Sequence, residues 1–188
     1  MSRAELEGRS FYWYQIGKGR NLCLFYEGQC VARFKSKGEG LRNLFKTIGQ
    51  FGETTMDIEI KPFADVGVIF RDIQTQRTVV EIANPVLDSV HIWINGYPHE
   101  MTDRNDGPCP LQAYHPSTKE LRTILETNYM NRNGFFSDPT DVNQKVEGEC
   151  VGQTRFISIR EDDADPWLLA LSAMVYCAIH PRSAGLGF

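Results

Sequence analysis

The sequence predicts an α+β fold: a mainly antiparallel β-sheet or barrel with a buried apolar C-terminal helix and two short amphipathic helices. Two observations carry this. Through the first hundred residues, short runs rich in β-branched and aromatic residues recur about every ten residues between turn-forming clusters, the pattern of a meandering antiparallel sheet. At the other end, residues 167–179 form an apolar run in which Ser172 is the only residue outside the apolar and aromatic classes. A helix that is apolar all round must be enclosed by lipid or by protein. A bilayer core takes about 20 apolar residues, whereas runs of about 10–14 are more often buried core helices. At thirteen residues, this run fits a core helix, and no transmembrane span is expected. Asp165 and Pro166 mark its start, since the carboxylate caps unpaired amides and proline lacks the donor that would go unused. Pro181 stops it.

The remaining elements follow in order. Residues 11–16 form an aromatic strand that runs into Gly17-Lys18-Gly19, a turn signal. Residues 21–26 and 29–34 flank Glu27-Gly28 and read as a hairpin with a two-residue turn. Leu41, Leu44, Phe45 and Ile48 recur at helical spacing between glycines, giving the first amphipathic helix. Residues 56–61 alternate apolar and charged, as a half-buried strand does, and 66–70, 78–82 and 90–94 continue the series. A loop is expected over 96–110. Ser117 and Glu120 then form a capping box ahead of Leu121, Ile124, Leu125 and Tyr129 on one stripe, the second amphipathic helix. A second loop spans 133–144, and 146–151 with 154–160 read as a last hairpin leading into Glu161, Asp162, Asp163 and Asp165. With no repeat, low-complexity tract or linker, residues 1–188 read as a single domain.

Composition is that of an ordinary globular protein, 41% hydrophobic and 23% charged. The first seven residues lack the apolar stretch of a secretory signal. Five cysteines, an odd number with no C-x-x-C pair, point to reduced thiols in a cytoplasmic or nuclear setting, with membrane association as a further expectation. Net charge is −4 but uneven: residues 1–50 carry nine Lys/Arg against four Asp/Glu, and the rest of the chain is acidic. Such asymmetry suggests a basic face and anionic partners.

No catalytic constellation is predicted. There is no G-x-S-x-G elbow and no P-loop spacing around Lys18. The histidines (His91, His99, His115, His180) form no tight ligand pair with the cysteines, although His99 and His115 are placed in loops flanking Cys109; neither a metal nor a cofactor is expected. The acidic run at 161–165 lacks the twelve-residue alternation of an EF-hand loop. Carboxylates before a helix are also favoured by its dipole.

The basic residues are the best functional candidates. If 21–26 and 29–34 pair antiparallel, Lys18 and Arg20 come close to Lys35 and Lys37 at the open end of the hairpin. Together with Arg33 they make a cradle for phosphate groups. Arg42 and Lys46 extend the set. Tyr12, Trp13 and Tyr14 lie nearby as aromatic contacts for a membrane interface. The plain alternative is a solvated strand end above core aromatics. Two other functions compete: a single-stranded nucleic-acid binder using the same cations with Tyr12, Trp13, Tyr14, Phe25 or Tyr26 as stacking platforms, and a structural or assembly protein that self-associates through its terminal helix.

The stretch 152–160, the acids Asp163 and Asp165 with Ala164 between them, and the apolar run 168–179 together resemble the end of proteins in the tubby C-terminal-like superfamily. The LURP-one-related and phospholipid scramblase-like branches are the nearest. The resemblance covers roughly the last forty residues and the order of elements. It implies a terminal helix threaded through a closed β-barrel, and a non-enzymatic module binding phosphoinositides or other anionic ligands. The spacing from the acids to the helix is shorter here. The amphipathic helices and long loops also depart from the family's compact hairpins.

Overall fold

The computed structural model describes residues 2–16, 22–26, 29–36, 46–51, 54–61, 66–83, 89–102, 108–114, 118–129 and 148–179. A single helical turn, α1 (Arg3–Leu6), precedes twelve strands. These are β1 (Ser10–Ile16), β2 (Leu22–Tyr26), β3 (Gln29–Ser36), β4 (Lys46–Phe51), β5 (Thr54–Ile60) and β6 (Val66–Asp72). They continue with β7 (Thr78–Ala83), β8 (Ser89–Ile94), β9 (Tyr97–Thr102), β10 (Cys109–Tyr114), β11 (Leu121–Tyr129) and β12 (Gly148–Phe156). The chain ends its described part in α2 (Pro166–Ile179). Each strand pairs antiparallel with the next, and β1 also pairs with β12, so the strand order closes into a barrel.

Alternation accounts for the wall. Along β1 the side chains of Phe11 and Trp13 are buried while those of Tyr12 and Tyr14 are half-buried on the other face, the period-2 geometry of a pleated strand. The same rule turns Met56 and Ile58, Val80 and Ile82, and Ile92 and Ile94 inward.

The terminal helix fills the space they surround. Every residue from 168 to 176 is buried, and α2 packs against β11, β10, β3, β4 and β7, strands spread around the ring. The expectation of a mainly antiparallel sheet with a buried apolar C-terminal helix therefore holds. The Asp165 carboxylate accepts the amides of Trp167 at 2.9 Å and Leu168 at 3.1 Å, supplying partners that a helix start otherwise lacks. Ser172 donates to the Leu168 carbonyl at 2.7 Å, which satisfies the hydroxyl of the one residue in the run outside the apolar and aromatic classes. Trp167 sets the helix against the wall, edge-on to Phe11 at 5.1 Å and to Phe156 at 5.9 Å.

Four local expectations are corrected. The predicted second amphipathic helix is strand β11, paired to β10 and β12. Its register skips Ile124 between Leu125 and Thr123. A bulge puts consecutive residues on one face, so Ile124 and Leu125 are both buried and the spacing imitates a helix. Lys119, at φ 59, is left-handed, a conformation that no right-handed helix passes through. The capping box is instead a turn, in which the Thr118 hydroxyl accepts the Glu120 amide at 3.4 Å.

The predicted first amphipathic helix also gives way, because Lys46, Thr47 and Ile48 belong to β4; residues 41–45 lie outside the described residues. The expected last hairpin is one strand, β12, with Val151 skipped in its register against β1. The expected loop over 96–110 contains β9, joined to β8 through Asn95 (φ 51) and Gly96 (φ 82). Asn-Gly is a strong hairpin signal because both positions tolerate positive φ. His99 thus sits in a strand and is buried, not in a loop.

The two ends of the barrel differ. At the end where β1 begins, three of the five strand-to-strand connections have only two residues (β2–β3, β4–β5 and β8–β9), and the β6–β7 and β10–β11 connections have five and six. Here Arg122 pairs with Asp163, and Arg3 donates to the carbonyls of Arg160 at 3.0 Å, Ala164 at 3.3 Å and also Asp163. At the end where β1 finishes, the connections are longer.

Candidate functional site

The longer-looped end is where the predicted basic residues belong. The register joins Gln15 to Leu22, Leu22 to Phe34, Ser36 to Thr47 and Lys46 to Glu59. Strands β1, β2, β3, β4 and β5 are therefore neighbours, and they reach this end together. Lys35 is the penultimate residue of β3, opposite Ile48, and Lys46 opens β4. Lys18, Arg20, Lys37 and Arg42 lie outside the described residues. They belong to connections 17–21 and 37–45, whose first and last flanking residues are on these adjacent strands.

Arg33 is placed elsewhere. It lies lower on β3, opposite Cys23, and its exposed side chain interacts with Cys30 and Cys23. The three predicted aromatic contacts also separate. Trp13 is fully buried and donates its indole N–H to Thr154 Oγ1 at 2.8 Å, and Thr154 in turn meets Thr127 Oγ1 at 2.9 Å. It is a core residue and not a surface contact, because its position in β1 shares the inward face with Phe11. Tyr12 and Tyr14 are half-buried on the outer face, and Tyr14 sits edge-on to Phe25 at 5.6 Å.

A thiol cluster on this outer wall was not anticipated. Cys23 lies between Tyr14 on β1 and Arg33 on β3, and Cys30 lies opposite Phe25. Both cysteines are free; Cys23 is buried and Cys30 exposed. The Cys23 thiol hydrogen-bonds to the Cys30 sulfur, and this bond with the Arg33 guanidinium lowers the Cys30 thiol to about 6. Holding its proton in that bond, and burial, push Cys23 above the ordinary thiol range. The Cys30 thiol also donates to the Ala32 carbonyl oxygen at 3.4 Å. The signal was in the sequence: a two-residue turn at 27–28 sets Phe25 opposite Cys30, hence on the same face as Cys23.

The acidic run has structural partners. Asp163 is ion-paired to Arg122 and also accepts the Arg160 amide at 2.8 Å, while Asp165 caps α2. Among the described residues no three His, Cys, Asp or Glu side chains come together to hold a metal, and no helix is long and apolar enough to cross a membrane. Comparison with protein-family models, with curated proteins and with solved structures finds no match for this chain.

Proposed function

We propose that this protein is a non-enzymatic binding module for anionic ligands, with membrane phospholipid or phosphoinositide headgroups as the first choice. The observation that supports it most is the strand register: Lys35, Lys46 and the two connections carrying Lys18, Arg20, Lys37 and Arg42 all belong to neighbouring strands at one end. A cluster of that sign attracts phosphate. Near an anionic surface each Lys or Arg contributes about 1 kcal/mol. Resemblance to the tubby C-terminal-like superfamily points the same way, since it implies a helix threaded through a barrel and an anionic ligand outside it. Arg33 is left out of the cradle because its side chain is engaged with the thiols.

Nucleic acid is less well supported. Of the aromatic side chains offered as stacking platforms, Trp13 is in the core and presents no face to a base. Flotation with vesicles of neutral lipid, and of neutral lipid with an added phosphoinositide, tests the reading. The protein should rise with the anionic vesicles and stay down with the neutral ones, and less should rise as salt is added. Equal flotation with both, or binding to an oligonucleotide in preference to the vesicles, would overturn it.

A further inference from the structure

The thiol cluster on the outer wall is absorbed neither by the fold nor by the anionic-ligand reading. Cys23 and Cys30 sit on adjacent strands and the same face, one position apart across the ladder and two along it. Residues so placed are diagonal neighbours about 7–8 Å apart at Cα, close to the upper limit for a disulfide, and each thiol is the largest influence on the other's ionisation. Val31, skipped in the register between Ala32 and Cys30, is a bulge immediately beside Cys30. Bulges bend a strand and interrupt its ladder locally, so this is where the hairpin can adjust. Exposure separates the two thiols: Cys30 is open to solvent while Cys23 lies beneath it. The Arg33 guanidinium stands beside both.

We propose that Cys30 and Cys23, assisted by Arg33, form a hydroperoxide-oxidisable thiol pair that closes to a disulfide between β2 and β3. The Cys30 thiolate attacks one peroxide oxygen; the O–O bond breaks, a sulfenic acid forms on Cys30 and hydroxide departs, taking up a proton to become water. The Cys23 thiol then gives up its proton to a solvent base as its sulfur attacks the Cys30 sulfur. The S–O bond breaks and a second water leaves. Two thiols are oxidised by two electrons and one hydroperoxide is reduced to two waters, or to water and an alcohol for an organic hydroperoxide.

Each group has a distinct part. Cys30 offers an accessible sulfur whose thiolate is favoured by Arg33 and by the Cys23 hydrogen bond, the environment that marks reactive thiols. Cys23 keeps its proton and is shielded, so it is a poor first target, but it lies diagonally across the ladder from the sulfur it must attack. The nearness of a resolving thiol is what turns a sulfenic acid into a reversible disulfide rather than a more oxidised product. Cys109 is buried on β10 and Cys150 lies on β12 beside Tyr14, both on strands that do not pair with β3.

The full chain is treated with a small excess of hydrogen peroxide, its remaining thiols are blocked, and peptides are mapped by mass spectrometry. The expected product is one intramolecular Cys23–Cys30 disulfide, with the blocking group on Cys109, Cys150 and Cys177. A disulfide elsewhere, a Cys30 disulfide between two copies, or no oxidation at a dose that oxidises a peroxidatic standard would overturn the proposal. Untreated wild type gives a second measurement that needs no variant. Alkylation of Cys30 should reach half its maximal rate near pH 6, where the thiolate forms, and level off above it. A half-maximal rate in the ordinary thiol range would overturn the proposal too. Arg33→Gln should move that midpoint upward, and Cys23→Ser should accumulate a Cys30 sulfenic acid that a cyclic dione traps.

Discussion

At the scale of single residues, burial of an ionisable ring creates a pH dependence of stability. His99 is buried in β9, with Nδ1 2.9 Å from the Tyr97 carbonyl, and Asp163 and Arg122 are the charged groups acting on it. Burial is the dominant cause, and it holds the imidazole below its ordinary value of 6.5. Because the folded state binds this proton less readily than the unfolded state, the neutral ring's contribution is fully present above the unfolded pKa. It is lost as pH falls through that value toward the folded one. Urea titrations at pH 7 and pH 5 should therefore show wild type losing more stability on acidification than His99→Gln. An equal loss in the two proteins would assign the pH dependence to other groups.

Strands and helices show how far the sequence could be read. The regular strands β5 and β8 were legible because each alternates without interruption, and α2 was legible because its run has a cap, a length and a stop. Strands β11 and β12 were not. In β11 the bulge brings Ile124 and Leu125 to the same face, and in β12 the bulge at Val151 stands beside Gly152, so period-2 reasoning reports a helix in the first and a turn in the second. β-Branched Thr123, Ile124 and Thr127 were the counter-signal in β11. β9 was hidden by Pro98 and His99, although Asn95-Gly96 pointed to its hairpin. The helix start is the element whose energetics are simplest to check. Replacing a capping carboxylate by alanine costs about 1 kcal/mol. Asp165→Ala should thus lower the unfolding free energy by that amount, seen as a lower urea midpoint with an unchanged slope. An unchanged midpoint would mean that the two amides it accepts find equivalent partners.

Across the whole molecule, one arrangement connects fold to function. The helix occupies the interior, so a ligand meets the outside of the barrel or its ends. One end is tied down by short turns and the Arg3, Arg122 and Asp163 contacts. The other carries the longer connections, those with Lys18, Arg20, Lys37 and Arg42 among them, and has Lys35 and Lys46 at its strand ends. Part of that site was legible, because the hairpin register at Leu22 and Phe34 follows from a two-residue turn. Arg33 and Trp13 were misplaced for a geometric reason: nearness in sequence to the basic end does not specify the height or face of a residue on its strand.

The direct test is quantitative sedimentation with phosphoinositide-containing vesicles, comparing wild type with the combined variant Lys18→Gln, Arg20→Gln, Lys35→Gln and Lys37→Gln. At about 1 kcal/mol for each cation, the variant should partition roughly two to three orders of magnitude more weakly, while its circular dichroism and urea midpoint remain those of wild type. A folded variant that binds the vesicles as tightly as wild type would contradict the account.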